Sequence, residues 1–235
     1  MKRIIDIREP LWQGVLQATE CVAEDQCRYV VKHSRASAGA LIKEWLAGRI
    51  GRAMGLPIPP IEILELPAAQ AKYMAHRDAA SLSKYPAFGS QWIDDASLLL
   101  PANRLSIPAP LRAKILLFDW WILNGDRTER NPNVLWVAHR KTAYGIDHHL
   151  AFDEVEACSL WADHLFRDDR DLWDDAFKAE MQPLMAEQRR LFDSYWNELP
   201  TDWLAQQNEN VPDRAMVDRI LGRFETDPER FWGEP

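Results

Sequence analysis

The sequence predicts an α+β fold, with a small, mostly β part over residues 1–93 and a mostly helical part over residues 94–235. Three features carry this expectation. Short apolar segments with strand alternation dominate the first part, and helical spacing dominates beyond Phe152. Between them a polar loop, Asn124 to Asn133, separates an apolar helix from a pair of apolar strands. A chain of 235 residues buries a substantial core, as one domain or as two tightly packed parts.

Taken in order, residues 3–8 alternate as a strand, and Val15 to Ala23 form a second one across the Pro10 to Gly14 connection. Arg28 to His33 is the next strand, turned out of Glu24-Asp25-Gln26. After the small-residue loop Ser34 to Gly39, Leu41, Trp45, Leu46, Ile50 and Met54 recur at helical spacing until Gly55 ends the helix. The run Gly55-Leu56-Pro57-Ile58-Pro59-Pro60 is a rigid turn into a strand at Ile61 to Leu66. Residues 68–84 read as a helical or irregular insertion, Ala87 to Ile93 as a strand, and residues 94–109 as a loop-rich crossing.

Leu111 to Leu123 is an apolar helix with Trp120 and Trp121 in the core. Val134 to Val137 and Ala143 to Ile146 then form a hairpin with Arg140-Lys141 at its turn. Helices follow at Leu160 to Phe166, Asp174 to Leu199 with Pro183 starting or kinking it, Asp202 to Gln207 capped by Thr201, and Asp213 to Phe224.

Composition narrows the function. No window has the roughly 18 uninterrupted apolar residues of a membrane span, and the N-terminus lacks the apolar core of a signal peptide, so a cytoplasmic protein is expected. Cys21, Cys27 and Cys158 form neither metal-ligand spacing nor an even disulfide framework. Residues 1–150 carry 19 Lys and Arg against 15 Asp and Glu, whereas residues 151–235 carry 9 against 21. The acidic end argues against direct nucleic-acid binding, which needs a basic footprint. The acid-rich run from Asp168 to Asp175 reads as a solvated loop and helix N-terminus.

The chemistry concentrates in Asn124-Gly125-Asp126-Arg127-Thr128-Glu129-Arg130-Asn131-Pro132-Asn133 and, after the hairpin, Ile146-Asp147-His148. Phosphoryl transfer needs an Asp to receive or orient a hydroxyl, and an Asn and a second Asp to hold metal ions against phosphate charge. Asp126, Asn131 and Asp147 fill those places, and the hairpin would bring Asn131 and Asp147 together. Asp126-Arg127 with Asn131 resembles the D-R-x-x-x-N loop of kinases outside the main eukaryotic group. The fuller string, with the GLPIPP turn and following strand, resembles the HipA-like kinase family. That resemblance implies a two-lobed protein-kinase-like fold, with a small mostly β N-lobe and a mostly helical C-lobe. It also implies ATP and Mg²⁺ as cofactors and serine/threonine kinase activity, in the best-studied members as the toxin of a toxin-antitoxin pair.

On the family pattern, Lys32 at the end of its strand would bind the α- and β-phosphates, and Glu44 on the following helix would position it. Gln91, Trp92 and Ile93 are candidates for the hinge that holds adenine by backbone hydrogen bonds. Two features depart from the pattern. The N-terminal hairpin has Gly14 as its only glycine, and His149 stands where many members have glycine. His148 and His149 read as packing near the Mg²⁺ site.

The expected partners are a protein substrate and an antitoxin or operon-encoded protein, with no membrane partner. One alternative is a small-molecule or lipid-headgroup kinase, although a basic membrane-facing tract is absent. Another is a pseudokinase serving as a partner-binding module, which the glycine-poor hairpin and the acidic helical end favour.

Overall fold

The computed structural model of the chain describes residues 1–11, 18–74, 76–153, 162–206 and 209–233. Gly14, Val15 to Gln17, Cys158 and the first residues of the expected Leu160 helix lie outside the described residues. In chain order the described elements begin with β1 (Lys2–Pro10), β2 (Thr19–Ala23), β3 (Arg28–Lys32) and α1 (Ala38–Ala53). Next come β4 (Ile61–Glu65), α2 (Ala68–Ala71), α3 (Ala79–Leu82), β5 (Ala87–Gln91) and β6 (Ser97–Leu98). After these follow α4 (Ala109–Ile122), β7 (Val134–Val137) and β8 (Thr142–Gly145). Last are α5 (Asp175–Asn197), α6 (Thr201–Leu204), α7 (Arg214–Thr226) and α8 (Pro228–Trp232).

The chain forms two compact units, and neither is a single stretch of sequence. One contains Met1–Trp45, Pro59–Asp94 and Leu199–Val211; the other contains Leu46–Ile58, Asp95–Glu198 and Pro212–Pro235.

In the first unit the strands run in the order β1-β2-β3-β5-β4 and close into a barrel. All neighbours are antiparallel except at the closure, where Lys2 and Arg3 of β1 pair in parallel with Leu64 and Glu65 of β4. The closure was not legible in the strand pattern, because the sheet's twist and the irregular register of β1 bring its edges together. Ile4, Cys21, Tyr29, Val31, Leu64 and Ala87 pack a core that residues of α3 complete.

In the second unit β6, β7 and β8 form an antiparallel sheet in that order. Here β6 pairs with β7 within the stretch expected to be loop-rich. Helix α4 is apolar on nearly every side and is buried. Trp120 and Trp121 are core, as their size and apolarity predict. Each satisfies its indole N–H on a backbone carbonyl, of Phe231 at 3.0 Å and of Leu221 at 2.9 Å.

Asp174 and Asp213 cap α5 and α7, accepting the N–H of Phe177 and of Met216, each at 2.8 Å. Thr201 opens α6 instead of capping it, and Pro183 lies inside α5 instead of at its start. His164, expected in a helix, forms an isolated bridge with Thr128. Among the described residues, no helix is long and apolar enough to cross a membrane.

The barrel sets a tight limit at Gly89 of β5. A Cβ there would stand 2.6 Å from Leu64 Cδ1 and 3.3 Å from Tyr29 Cδ1, both core side chains. Gly89→Ala is therefore expected to cost about 1–3 kcal/mol by overpacking, read as a lower urea midpoint at unchanged m-value.

Candidate active site

The site in the second unit starts from the way α4 ends. Leu123 takes a left-handed conformation (φ 56°), and the Asn124 N–H returns to the Asp119 carbonyl at 2.8 Å, which stops the helix and turns the chain into the loop. Asp119 is one turn back on the same helix, a carboxylate in an otherwise apolar stretch.

Asp119 and Arg127 are each 1% exposed, so neither charge has water to stabilise it, and the surroundings must do so. Arg127 Nε donates to Asp119 Oδ2 at 2.6 Å, and Asn124 Nδ2 donates to Asp119 Oδ1 at 2.9 Å. Arg127 Nη1 donates to the Asn133 carbonyl, and Nη2 to His148 Nε2 at 3.2 Å. Because a guanidinium only donates, His148 Nε2 is the unprotonated nitrogen of that ring.

A third partner arrives from a distant part of the sequence. The Phe166 N–H donates to His164 Nδ1 at 3.1 Å, so His164 carries its proton on Nε2, which lies 3.1 Å from Asp119 Oδ2. Burial alone would raise the Asp119 carboxyl. The Arg127 guanidinium and the His164 ring reverse that and hold it well below the usual carboxylate range. Arg127 thus positions the loop: it fixes carbonyls at the loop's far end against a helix at its start.

This frame directs Asp126, which is partly exposed. Its Oδ2 and its own carbonyl both accept from Asn133 Nδ2, at 3.0 and 3.2 Å. Asn133 is buried, in a left-handed conformation (φ 48°), immediately before β7. Asn131 is exposed, and its side-chain amide has no hydrogen-bond partner among the described residues. Its backbone instead closes a turn with Thr128, whose N–H donates to the Asn131 carbonyl at 3.0 Å.

The β7–β8 hairpin forms as expected, with Val134 opposite Gly145 and Val137 opposite Thr142. The Ile146 N–H donates to the Asn133 carbonyl at 3.0 Å, so the residue just before Asp147 is tied to Asn133. Asp147 is itself left-handed (φ 61°), and its Oδ1 lies 2.5 Å from His149 Nδ1. His148 is buried edge-on against Phe118, with ring centroids 5.8 Å apart.

In the first unit, Lys32 at the end of β3 and Glu44 on α1 form a buried ion pair. Of the hinge candidates, the Gln91 N–H donates to the Pro60 carbonyl and the Trp92 N–H to the Arg28 carbonyl, each at 2.8 Å. Those two donors are consumed within the unit, whereas the Ile93 N–H has no acceptor among the described residues. The Arg28 guanidinium lies over the Trp92 ring, 4.3 Å from its centroid.

Sequence reasoning missed Asn133, Asp119 and His164. Asn133 had a signal, since it directly precedes the strand, and so did Asp119, the lone charge late in an apolar helix. His164 had none.

The buried network yields a stability prediction with a pH signature. Asp119→Asn leaves Arg127 buried without its counter-charge and is expected to cost about 3–5 kcal/mol at neutral pH. The wild-type carboxyl stays ionised in the fold to lower pH than in the unfolded chain. Its contribution is therefore full above about pH 4 and fades as pH falls from there toward the depressed folded value. Urea denaturation of both chains across that range should show the gap narrowing with acid.

A profile of the family described as HipA-like kinase matches residues 4–235. Among solved structures, the chain is similar to a Helicobacter pylori proinflammatory kinase, CtkA. The two share 8% sequence identity over 92% of this chain and 95% of that one, with a TM-score of 0.52, a likeness of fold. No curated protein matches the chain. With a family match over nearly its whole length, the chain belongs to the HipA-like kinases.

Proposed function

We propose that the chain transfers the γ-phosphate of ATP to a hydroxyl, with a protein Ser or Thr as acceptor. The observation that carries this is the Asp126–Asn133 pair beside the hairpin that bears Asp147. Asn133 turns its amide nitrogen to Asp126, and its Oδ1 has no donor among the described residues. An amide oxygen and the Asp147 carboxylate are the hard oxygen donors that Mg²⁺ prefers, so the donor set fits that ion. When bound, Mg·ATP supplies the transferable phosphoryl group and neutralises its charge.

The chain's own groups then have distinct tasks. Asp126, with Oδ2 taken by Asn133, offers its other oxygen to orient the incoming hydroxyl or accept its proton. Asp147 and Asn133 hold the metal, with Asn131 at the rim. Lys32, kept in place by Glu44, binds the α- and β-phosphates. A kinase-like two-lobed layout, with the Ile93 backbone contacting adenine, belongs to the same proposal. A role as the toxin of a toxin-antitoxin pair is supported by family membership alone.

Two sets of variants test this. Asp126→Asn should keep Mg·ATP affinity within a fewfold while transfer of labelled phosphate falls by about 10²-fold or more. Loss of nucleotide binding in the folded variant would put Asp126 in the metal site instead, and full transfer would remove it from the mechanism.

Asn133→Ala should lower transfer by about 10- to 100-fold, whereas Asn131→Ala should change it by about twofold or less. The reverse ranking would return the metal-facing role to Asn131.

A further inference from the structure

Within the first unit, α1 begins without an acidic residue in its first turn, although that is where a helix favours negative charge. Ser37 supplies one local partner, its Oγ accepting the Ala40 N–H at 3.2 Å. Two other first-turn donors are met from a point 171 residues away in sequence. The Ala38 N–H donates to Glu209 Oε2 at 2.9 Å, and the Gly39 N–H donates to the Glu209 carbonyl at 3.0 Å.

The approach is very close, since a Cβ on Gly39 would stand 1.9 Å from the Asn210 carbonyl oxygen. Glu209 is held in turn by the Tyr85 hydroxyl at 2.8 Å and by Lys84 Nζ at 3.1 Å. Upstream, the fully buried Trp203 anchors the same segment, donating its indole N–H to the Pro86 carbonyl at 2.5 Å.

Glu44 lies six residues beyond Ala38 on this helix, about 9 Å along its axis. Its carboxylate meets Lys32 only while α1 keeps its axial position and rotation. We propose that Glu209 is a positioning residue: from the 199–211 segment it clamps the first turn of α1 and so keeps Glu44 in register with Lys32. Taking the kinase reading above as given, phosphate binding by Lys32 then depends on a residue that touches neither nucleotide nor acceptor.

The test compares Glu209→Ala, Glu209→Gln and Glu44→Ala, alone and combined, in the full chain, with thermal melts establishing that each is folded. Mg·ATP affinity by calorimetry should fall about fivefold in Glu209→Ala, the size of one lost helix cap, and less in Glu209→Gln, which keeps an acceptor oxygen. In the Glu44→Ala background the Glu209 substitution should have no further effect on affinity, because the group through which it acts is gone.

A readout independent of nucleotide is the acylation rate of the Lys32 amine at limiting reagent, followed by mass spectrometry. That rate should rise severalfold in Glu209→Ala and show no extra rise when Glu44 is already removed. Wild-type Lys32 reactivity in folded Glu209→Ala would overturn the proposal, as would additive effects in the double variant. If Glu209→Ala does not fold, Glu209→Leu, which keeps much of the side-chain volume but offers no acceptor to the Ala38 N–H, decides by the same two criteria. If the wild-type chain binds no Mg·ATP, the kinase reading fails while the Lys32 labelling still decides the clamp.

Discussion

The ion pair between Asp119 and Arg127 is the constraint from which the loop between Asn124 and Asn133 takes its shape. Burying two opposite charges costs several kcal/mol per ion before any compensation. The compensation must therefore be nearly complete, and here it comes from Asn124, His164, His148 and the Asn133 carbonyl. A pair of this kind contributes specificity more than net stability. The guanidinium ties the Asp119 carboxylate, the Asn133 carbonyl and the His148 ring together, so it pins both ends of the ten residues from Asn124 to Asn133. Asp126 precedes Arg127 in the chain, so fixing the arginine fixes the backbone from which the proposed catalytic carboxylate projects.

The same economy appears in the other unit, where Lys32 and Glu44 form the buried pair and a helix holds one partner. In both places a buried ion pair is steadied by a group from outside the pair. His164 steadies Asp119 in the loop's frame, and Glu209 closes off the first turn of α1. Preorganisation of this kind matters for phosphoryl transfer, because catalysis there rests on positioning and electrostatics more than on covalent chemistry by the protein.

The sequence by itself determined the local elements and the kind of chemistry. Strand alternation and helical spacing depend on neighbours within a few residues, so β3, α1, α4 and the β7–β8 hairpin were legible to within a residue or two. Asp126 and Asp147 were singled out by their spacing across a short loop and two paired strands, and the hairpin between them forms as expected, whereas the roles given to them belong to the proposal. The lysine and glutamate were matched by family pattern, and they do meet.

Only the tertiary structure decided which asparagine faces Asp126, since Asn131 and Asn133 are alike in composition and differ in where the turn at Thr128 leaves each side chain. It also decided the closure of the barrel, the role of Arg127, the bridge at His164 where a helix was expected, and the use of Glu209 to finish α1. Each of these joins groups tens of residues or more apart, or depends on which buried polar atoms find partners. No periodicity encodes that, because the requirement to satisfy a buried charge or an orphan N–H names the kind of partner needed and leaves its position in the chain to the packing.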